Sequence, residues 1–378
     1  MQNRLERSSH RLPAIQALRG IAALMVVFSH AQSLFENYHS RGLNIPGWFN
    51  HGFIRDLGGT GVDIFFVISG FVITFTAWNR FQDEVFSREF LIRRLIRIVP
   101  MYWLCTSVMA VTFLFFPQLI FSGRQTSVGH VLASYLFIPW AQGDDRSPVL
   151  GAGWSLNYEM FFYVVFALSL FLPRKKALLR IVVGLIAIIG VSNWITLTGL
   201  SSHFWFFSNS VILEFIYGMV LATLFQRGLS KSTMRSLFLL AFGSAALALI
   251  VFRFGANLKE WRGVFWGGPS ALIMAGAMLL PTTFKIPTFL VRLGDISYSL
   301  YLVHFFCQVA IGHAWLSMFS KGPVDILVIL LIVVSCVVAY FAHVGIERPS
   351  NDWLLRKYLA ASWRVKVLIP PTAPSAPS

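Results

Sequence analysis

The chain has 378 residues, of which 56% are hydrophobic and only 12% charged, and its formal net charge is +15. An ordinary soluble domain is about 25% charged, so too few charges remain here to cover a water-facing surface. The basic residues gather at the ends of apolar runs, where membrane topology and anionic lipid account for them, and no nucleic-acid partner is expected.

Apolar runs long enough to cross ~30 Å of hydrocarbon recur from end to end, and dyad-alternating barrel strands are not visible. The fold class expected is an all-α polytopic membrane protein. Arg4, Arg7 and Arg11 precede the first apolar run in the manner of a signal peptide. No small-x-small cleavage site follows, and Arg19 interrupts the run, so an uncleaved first span is expected. The spans fall at 14–35, 58–78, 98–117, 153–173, 181–199, 205–225, 236–252, 263–281, 293–317 and 325–346. Val128 to Gln142 is apolar but short for a span, and is expected to re-enter or lie along the interface. Ten spans then put both termini in the cytoplasm. That arrangement places 22 Lys and Arg inside and 8 outside, the asymmetry the positive-inside rule demands.

Cys105, Cys307 and Cys336 lie in apolar runs without metal-ligand spacing and read as packing residues. No metal site is expected. One membrane domain over 1–350 and a cytoplasmic tail over 351–378 are expected, the last residues, PPTAPSAPS, being disordered.

Buried ionisable residues carry the functional signal. Arg19 and His30 stand eleven residues apart in RGIAALMVVFSH. At 100° per residue this is about three turns plus 20°, so both occupy one helix face, roughly 16 Å apart along the axis. Ionisable groups within spans mark pathways or active sites. A histidine beside a carboxylate suits a general base, and Asp63 in GGTGVDIFFVISGF and Glu159 in GWSLNYEMFFY lie at a depth similar to His30. Which of them pairs with it is left open. Arg93, Arg94 and Arg97 in REFLIRRLIRIVP cluster at the cytoplasmic edge, either as lipid anchors or as a site for a phosphate-bearing ligand. DISYSLYLVHFF brings Ser297, Ser299, Tyr301 and His304 into one span, as channel lining or core. Glu347 and Arg348 either pair with each other or reach Arg19 or the phosphate ligand.

Six motifs in order, LRGIAALMVVFSH, GVDIFFVISGF, RRLIRIVPMYW, GWSLNYE, GDISYSLYLVH and a terminal ERP, resemble the acyltransferase-3 family of integral membrane O-acyltransferases over about 12–350. The resemblance implies acyl transfer from cytosolic acyl-CoA, commonly acetyl-CoA, to a sugar hydroxyl of an exported or polyprenyl-linked polysaccharide at a bacterial inner membrane. It implies that Arg19 and His30 form the essential pair, and that Arg94 and Arg97 help hold the donor; the arginine cluster itself adds Arg93 to the expected donor site. Some relatives carry a fused SGNH-type domain; none is expected here, which leaves open an acyl hand-off to a polysaccharide-assembly partner.

Three rivals remain at this level. A transporter or flippase of a lipid-linked sugar would also need buried charges, but no inverted repeat is visible. HGFIRD, His51 to Asp56, matches the HxxxxD pattern of glycerolipid acyltransferases, and His304 in its apolar run is weakly similar to the membrane-bound O-acyltransferases. A structural or sensing membrane protein would leave the Arg19–His30 face without a role.

Overall fold

A computed structural model describes residues 12–39, 52–116, 126–141, 146–198, 203–318 and 324–368. These residues are helices joined by turns and short loops, with no strand among them. Six helical stretches are long and apolar enough to cross a membrane: Pro13–Ser33, Gly52–Ala77, Val85–Phe115, Arg174–Leu197, Thr233–Phe254 and Asp325–Ala360. The expected disorder of residues 370–378 falls outside the described residues, as does His51 of the HxxxxD pattern.

The central helix is α1 (Pro13–His39). It packs against α2 (Gly52–Gly59) and α3 (Gly61–Ala77), which follow each other across Thr60. α4 (Glu84–Phe115) starts where Asp83 caps it by accepting from the Phe86 N–H at 2.9 Å. That hydrogen bond, aided by Arg80, holds the Asp83 carboxyl below the usual carboxylate range. Of the segment 128–142, the described residues 128–141 hold one eight-residue helix, α5 (Val128–Tyr135). At 1.5 Å per residue it covers about 12 Å, too short to cross. It is pinned to α4 instead: Tyr102 donates to Ser134 O at 3.1 Å and Trp103 to Tyr135 O at 2.9 Å.

Four further expected spans are helical but shorter or broken. They are α6 (Trp154–Ser169), α8 (Ile212–Gln226), the pair α10 (Arg262–Phe265) and α11 (Gly267–Leu279), and the pair α12 (Thr288–Asp295) and α13 (Ser297–Met318). Sixteen residues reach about 24 Å, so α6 and α8 fall short of a full hydrocarbon core on their own. They lie in the interior, where Phe162, Phe166 and Phe215 are fully buried. By contrast α7 (Arg174–Leu197), α9 (Thr233–Phe254) and α14 (Val324–Ala342) expose rows of apolar side chains, among them Val183, Ile186, Phe238, Phe242, Ile329 and Val333. A face of that kind suits lipid.

Lipid supplies no hydrophobic drive between helices, so close packing must hold the interior together. α3 and α8 meet in one such close contact. A methyl at Gly70 would come within 2.2 Å of Phe215 O, and one at Gly218 within 2.1 Å of Val67 O. Only glycine permits this approach. A π turn at His343–Glu347 links α14 to α15 (Arg348–Leu368), so the expected tail begins as a helix.

Candidate functional site

α1 carries Arg19 into the interior because Ala22, Ala23, Val26 and Val27 bury the same helix against its neighbours. Arg19 donates to Gln16 Oε1 at 3.2 Å and to Ser297 Oγ at 3.1 Å. Gln16 in turn donates to Asp295 at 2.8 Å. The guanidinium is therefore held from α12 and α13 as well as from its own helix.

Two cavities meet at this point. The larger, about 370 Å³, is bounded by Gln16, Phe75, Phe86, Arg93 and, from α15, Asn351 and Asp352. The smaller, about 110 Å³, lies deeper, among Ser69, Ser155, Glu159, Tyr163, Ser297 and Tyr301. Arg19, Arg94 and Arg97 line both. Three guanidinium groups thus stand at the neck between a wide chamber and a narrow one. Arg93 borders only the wide chamber and is tied to Glu89, at 3.0 Å from Nε and 2.5 Å from Nη2. Arg94 lies over the rings of Phe90 and Tyr163, each 5.5 Å away. Arg97 makes no hydrogen bond or ion pair with a described residue. Glu159 provides a countercharge on the far side, accepting from Ser69 Oγ at 3.1 Å and from the Tyr163 hydroxyl.

Asp63 is at the start of α3, fully buried, and belongs to a different cluster. Its oxygens accept from Arg262 Nε at 2.8 Å and Nη2 at 2.7 Å, and Arg262 also donates to Gly59 O at 3.0 Å. The guanidinium is flanked by Trp266 and Trp154, at 4.8 and 5.5 Å from the ring centroids. Neither carboxylate considered as a partner of His30 bonds to it, which corrects the expected His–carboxylate pairing at both candidates. Asp63 is bound by Arg262, and Glu159 lies beside Ser69 and Tyr163.

The neighbour His30 does have is a second imidazole. The rings of His30 and His304 meet edge to face, with centroids 5.0 Å apart. The Tyr301 ring lies 6.2 Å further on. Tyr301 lines the deep cavity and its hydroxyl bonds to Ala152 O at 2.8 Å and Ser155 Oγ at 2.7 Å. Cavity, tyrosine and two histidines therefore form a continuous row.

Of the remaining candidates, Ser297 and Tyr301 line the deep cavity, whereas Ser299 and His304 are buried beside it. Glu347 accepts from Ser299 Oγ at 2.5 Å and contacts His343 Nδ1 at 3.0 Å. Neither Arg348 nor Arg19 is hydrogen-bonded to it, although its carboxylate charge still acts on the Arg19 guanidinium. Asp56 of the HxxxxD pattern is bonded by its neighbour Arg55. Cys105, Cys307 and Cys336 are free thiols. Arg262 was missed by sequence reasoning, which counted it among loop charges. Its one local signal is that it sits between Trp261 and Trp266 just ahead of a Gly-Gly-Pro helix start.

The residues define a helical membrane protein with a cationic neck between two chambers and a histidine pair behind it. The acyltransferase domain family, Acyl_transf_3, matches residues 12–344. The chain belongs to this acyltransferase-3 family and is an acyltransferase. It is 32% identical to the exopolysaccharide production protein ExoZ of Rhizobium meliloti, over 78% of this chain and 89% of that protein. It is 25% identical to the O-acetyltransferase OatA of Staphylococcus aureus over 92% of this chain, which spans only 58% of the OatA length. It is 27% identical to the acyltransferase MdmB of Streptomyces mycarofaciens, over 92% of this chain and 93% of that protein. No solved structure matches.

Proposed function

We propose that this chain transfers an acyl group, acetyl in the simplest case, from cytosolic acyl-CoA to a sugar hydroxyl of an exported or lipid-linked polysaccharide. The observation that carries this reading is the neck: Arg19, Arg94 and Arg97 line both chambers. Guanidinium groups bind phosphates through paired, charge-assisted hydrogen bonds. The wide chamber receives the nucleotide end of the donor, with Arg93 at its rim. The narrow one suits a thin, uncharged arm that ends in a thioester. Ten spans, with both termini cytoplasmic and the wide chamber opening to the cytosol, give the donor direct access. The membrane is then the inner membrane of a bacterium. ExoZ is named for exopolysaccharide production, which supports a polysaccharide acceptor, and OatA for O-acetyl transfer, which supports an acetyl group passed to oxygen.

In the chemical step the acceptor oxygen bonds to the acyl carbon and its proton passes to a His30 nitrogen. The carbon–sulfur bond breaks, and the leaving thiolate recovers the proton from the imidazolium. Transfer by way of an acylated His30 obeys the same balance in two steps. Arg19 serves as the inner end of the track, and Asp63 acts on the site indirectly, through Arg262.

The test is turnover by the purified protein with labelled acetyl-CoA and bacterial envelope polysaccharide. Label should reach the polysaccharide with wild type and fall to background with His30→Ala of equal thermal stability. Normal transfer by that variant overturns the assignment of His30.

A further inference from the structure

We infer that His304 is the positioning partner of His30, taking the place that a carboxylate holds beside most catalytic histidines. The inference rests on His30 acting as the base. A histidine base needs a neighbour that accepts a hydrogen bond from one ring nitrogen, which fixes the tautomer and leaves the other nitrogen free to take a proton. Among the described residues no carboxylate fills that place, because Asp63 and Glu159 are engaged elsewhere. Among the described residues, His304 places its ring against that of His30.

The hydrogen bonding of His304 suits it to accept. Its Nδ1 lies 3.0 Å from Leu300 O. A carbonyl only accepts, so the proton is on Nδ1 and Nε2 carries a lone pair. Nε2 is buried and has no hydrogen-bond partner. Leaving a buried polar atom unpaired is costly, and a core position of this kind would be better filled by an apolar side chain. Centroids 5.0 Å apart leave the separation at which a His30 ring nitrogen turned toward that lone pair would stand within hydrogen-bond reach, roughly 2.9 Å. His30 is half-buried and makes no hydrogen bond with a described residue, so no described hydrogen bond opposes this rotation. His304 then shares the partial positive charge that builds on His30 as it takes the proton.

The experiment compares His304→Met and His304→Gln with wild type in the purified protein, together with His30→Ala. Met keeps the bulk and removes the acceptor, and Gln keeps an acceptor oxygen. Thermal unfolding reports folding, and steady-state kinetics separate kcat from KM for acetyl-CoA. The expected result is a Met variant at least as stable as wild type, with an unchanged KM and kcat lowered at least about tenfold. Gln should recover most of that loss. A folded Met variant with wild-type kcat overturns the inference. So does a Gln variant as impaired as Met, because shape rather than hydrogen bonding would then be at stake. If His30→Ala is itself fully active, the proposed function fails first, and that outcome is separate from either result at His304.

Discussion

Asp63 and Arg262, 199 residues apart in the chain, form a bidentate ion pair at 2.8 and 2.7 Å whose carboxylate is fully shielded. The pair fastens the start of α10 to the junction of α2 and α3, since Arg262 also bonds Gly59 O. Removing one partner of a buried pair leaves an uncompensated charge, which costs about 3–5 kcal/mol. Arg262→Met should therefore lower the unfolding temperature sharply, and Asp63→Asn combined with Arg262→Met should recover much of the loss. Thermal unfolding in detergent measures both. An Arg262→Met protein as stable as wild type would remove the pair from the account.

The neck makes a graded forecast for the arginines. Arg94→Ala and Arg97→Ala should each raise KM for acetyl-CoA by at least about tenfold, the worth of one charge-assisted contact. Their effect on kcat should be smaller. Arg93→Ala should change KM by less than about threefold, because its guanidinium is already paired with Glu89. Donor titrations decide the order, and an Arg93 effect as large as that at Arg97 would contradict the geometry.

Glu159 faces the three guanidinium groups from the deep end and holds the hydroxyls of Ser69 and Tyr163. Glu159→Gln keeps the size of the side chain and removes the charge. We expect a folded protein whose kcat falls at least about tenfold while KM for acetyl-CoA falls or stays level, since an anion-binding site is relieved of its rival charge. A raised KM with unchanged kcat would speak against Glu159 as a countercharge.

Gly70 and Gly218 let α3 and α8 touch backbone to backbone. Gly70→Ala should force these helices apart and lose folded protein in a thermal assay, because interior packing tolerates little added volume. At Gly184, in α7, an added methyl would meet nothing within 4 Å. Gly184→Ala should be neutral or stabilise by about 0.5–1 kcal/mol through helix propensity. Equal effects at the two glycines would contradict the packing described.

Much of this site can be read from local spacing. The periodicity of one helix puts Arg19 and His30 on one face, and the short spacing of Arg94 and Arg97 brings them to one chamber edge. Those are properties of a single helix. The partners of these residues come from helices far away in the chain, and local pattern does not reach them. Arg262 reads as one more loop charge until α10 folds it against Asp63. His304 reads as channel lining or core, with no partner named, until α13 lies against α1. Span length is also only partly legible, because α6 and α8 are short helices shielded by neighbours, and apolar composition alone does not distinguish them from full crossings.

The most direct test of the central claim, that the cationic neck admits the donor from one side toward His30, is a sidedness measurement in sealed vesicles. Labelled acetyl-CoA, which does not cross the bilayer, is supplied only on the side of the Arg93–Arg97 segment, with acceptor polysaccharide only on the other. The account predicts label on the acceptor with wild type, none with His30→Ala, and none when the donor is placed on the opposite side. Transfer that depends on the opposite side, or that proceeds equally from both, would contradict it.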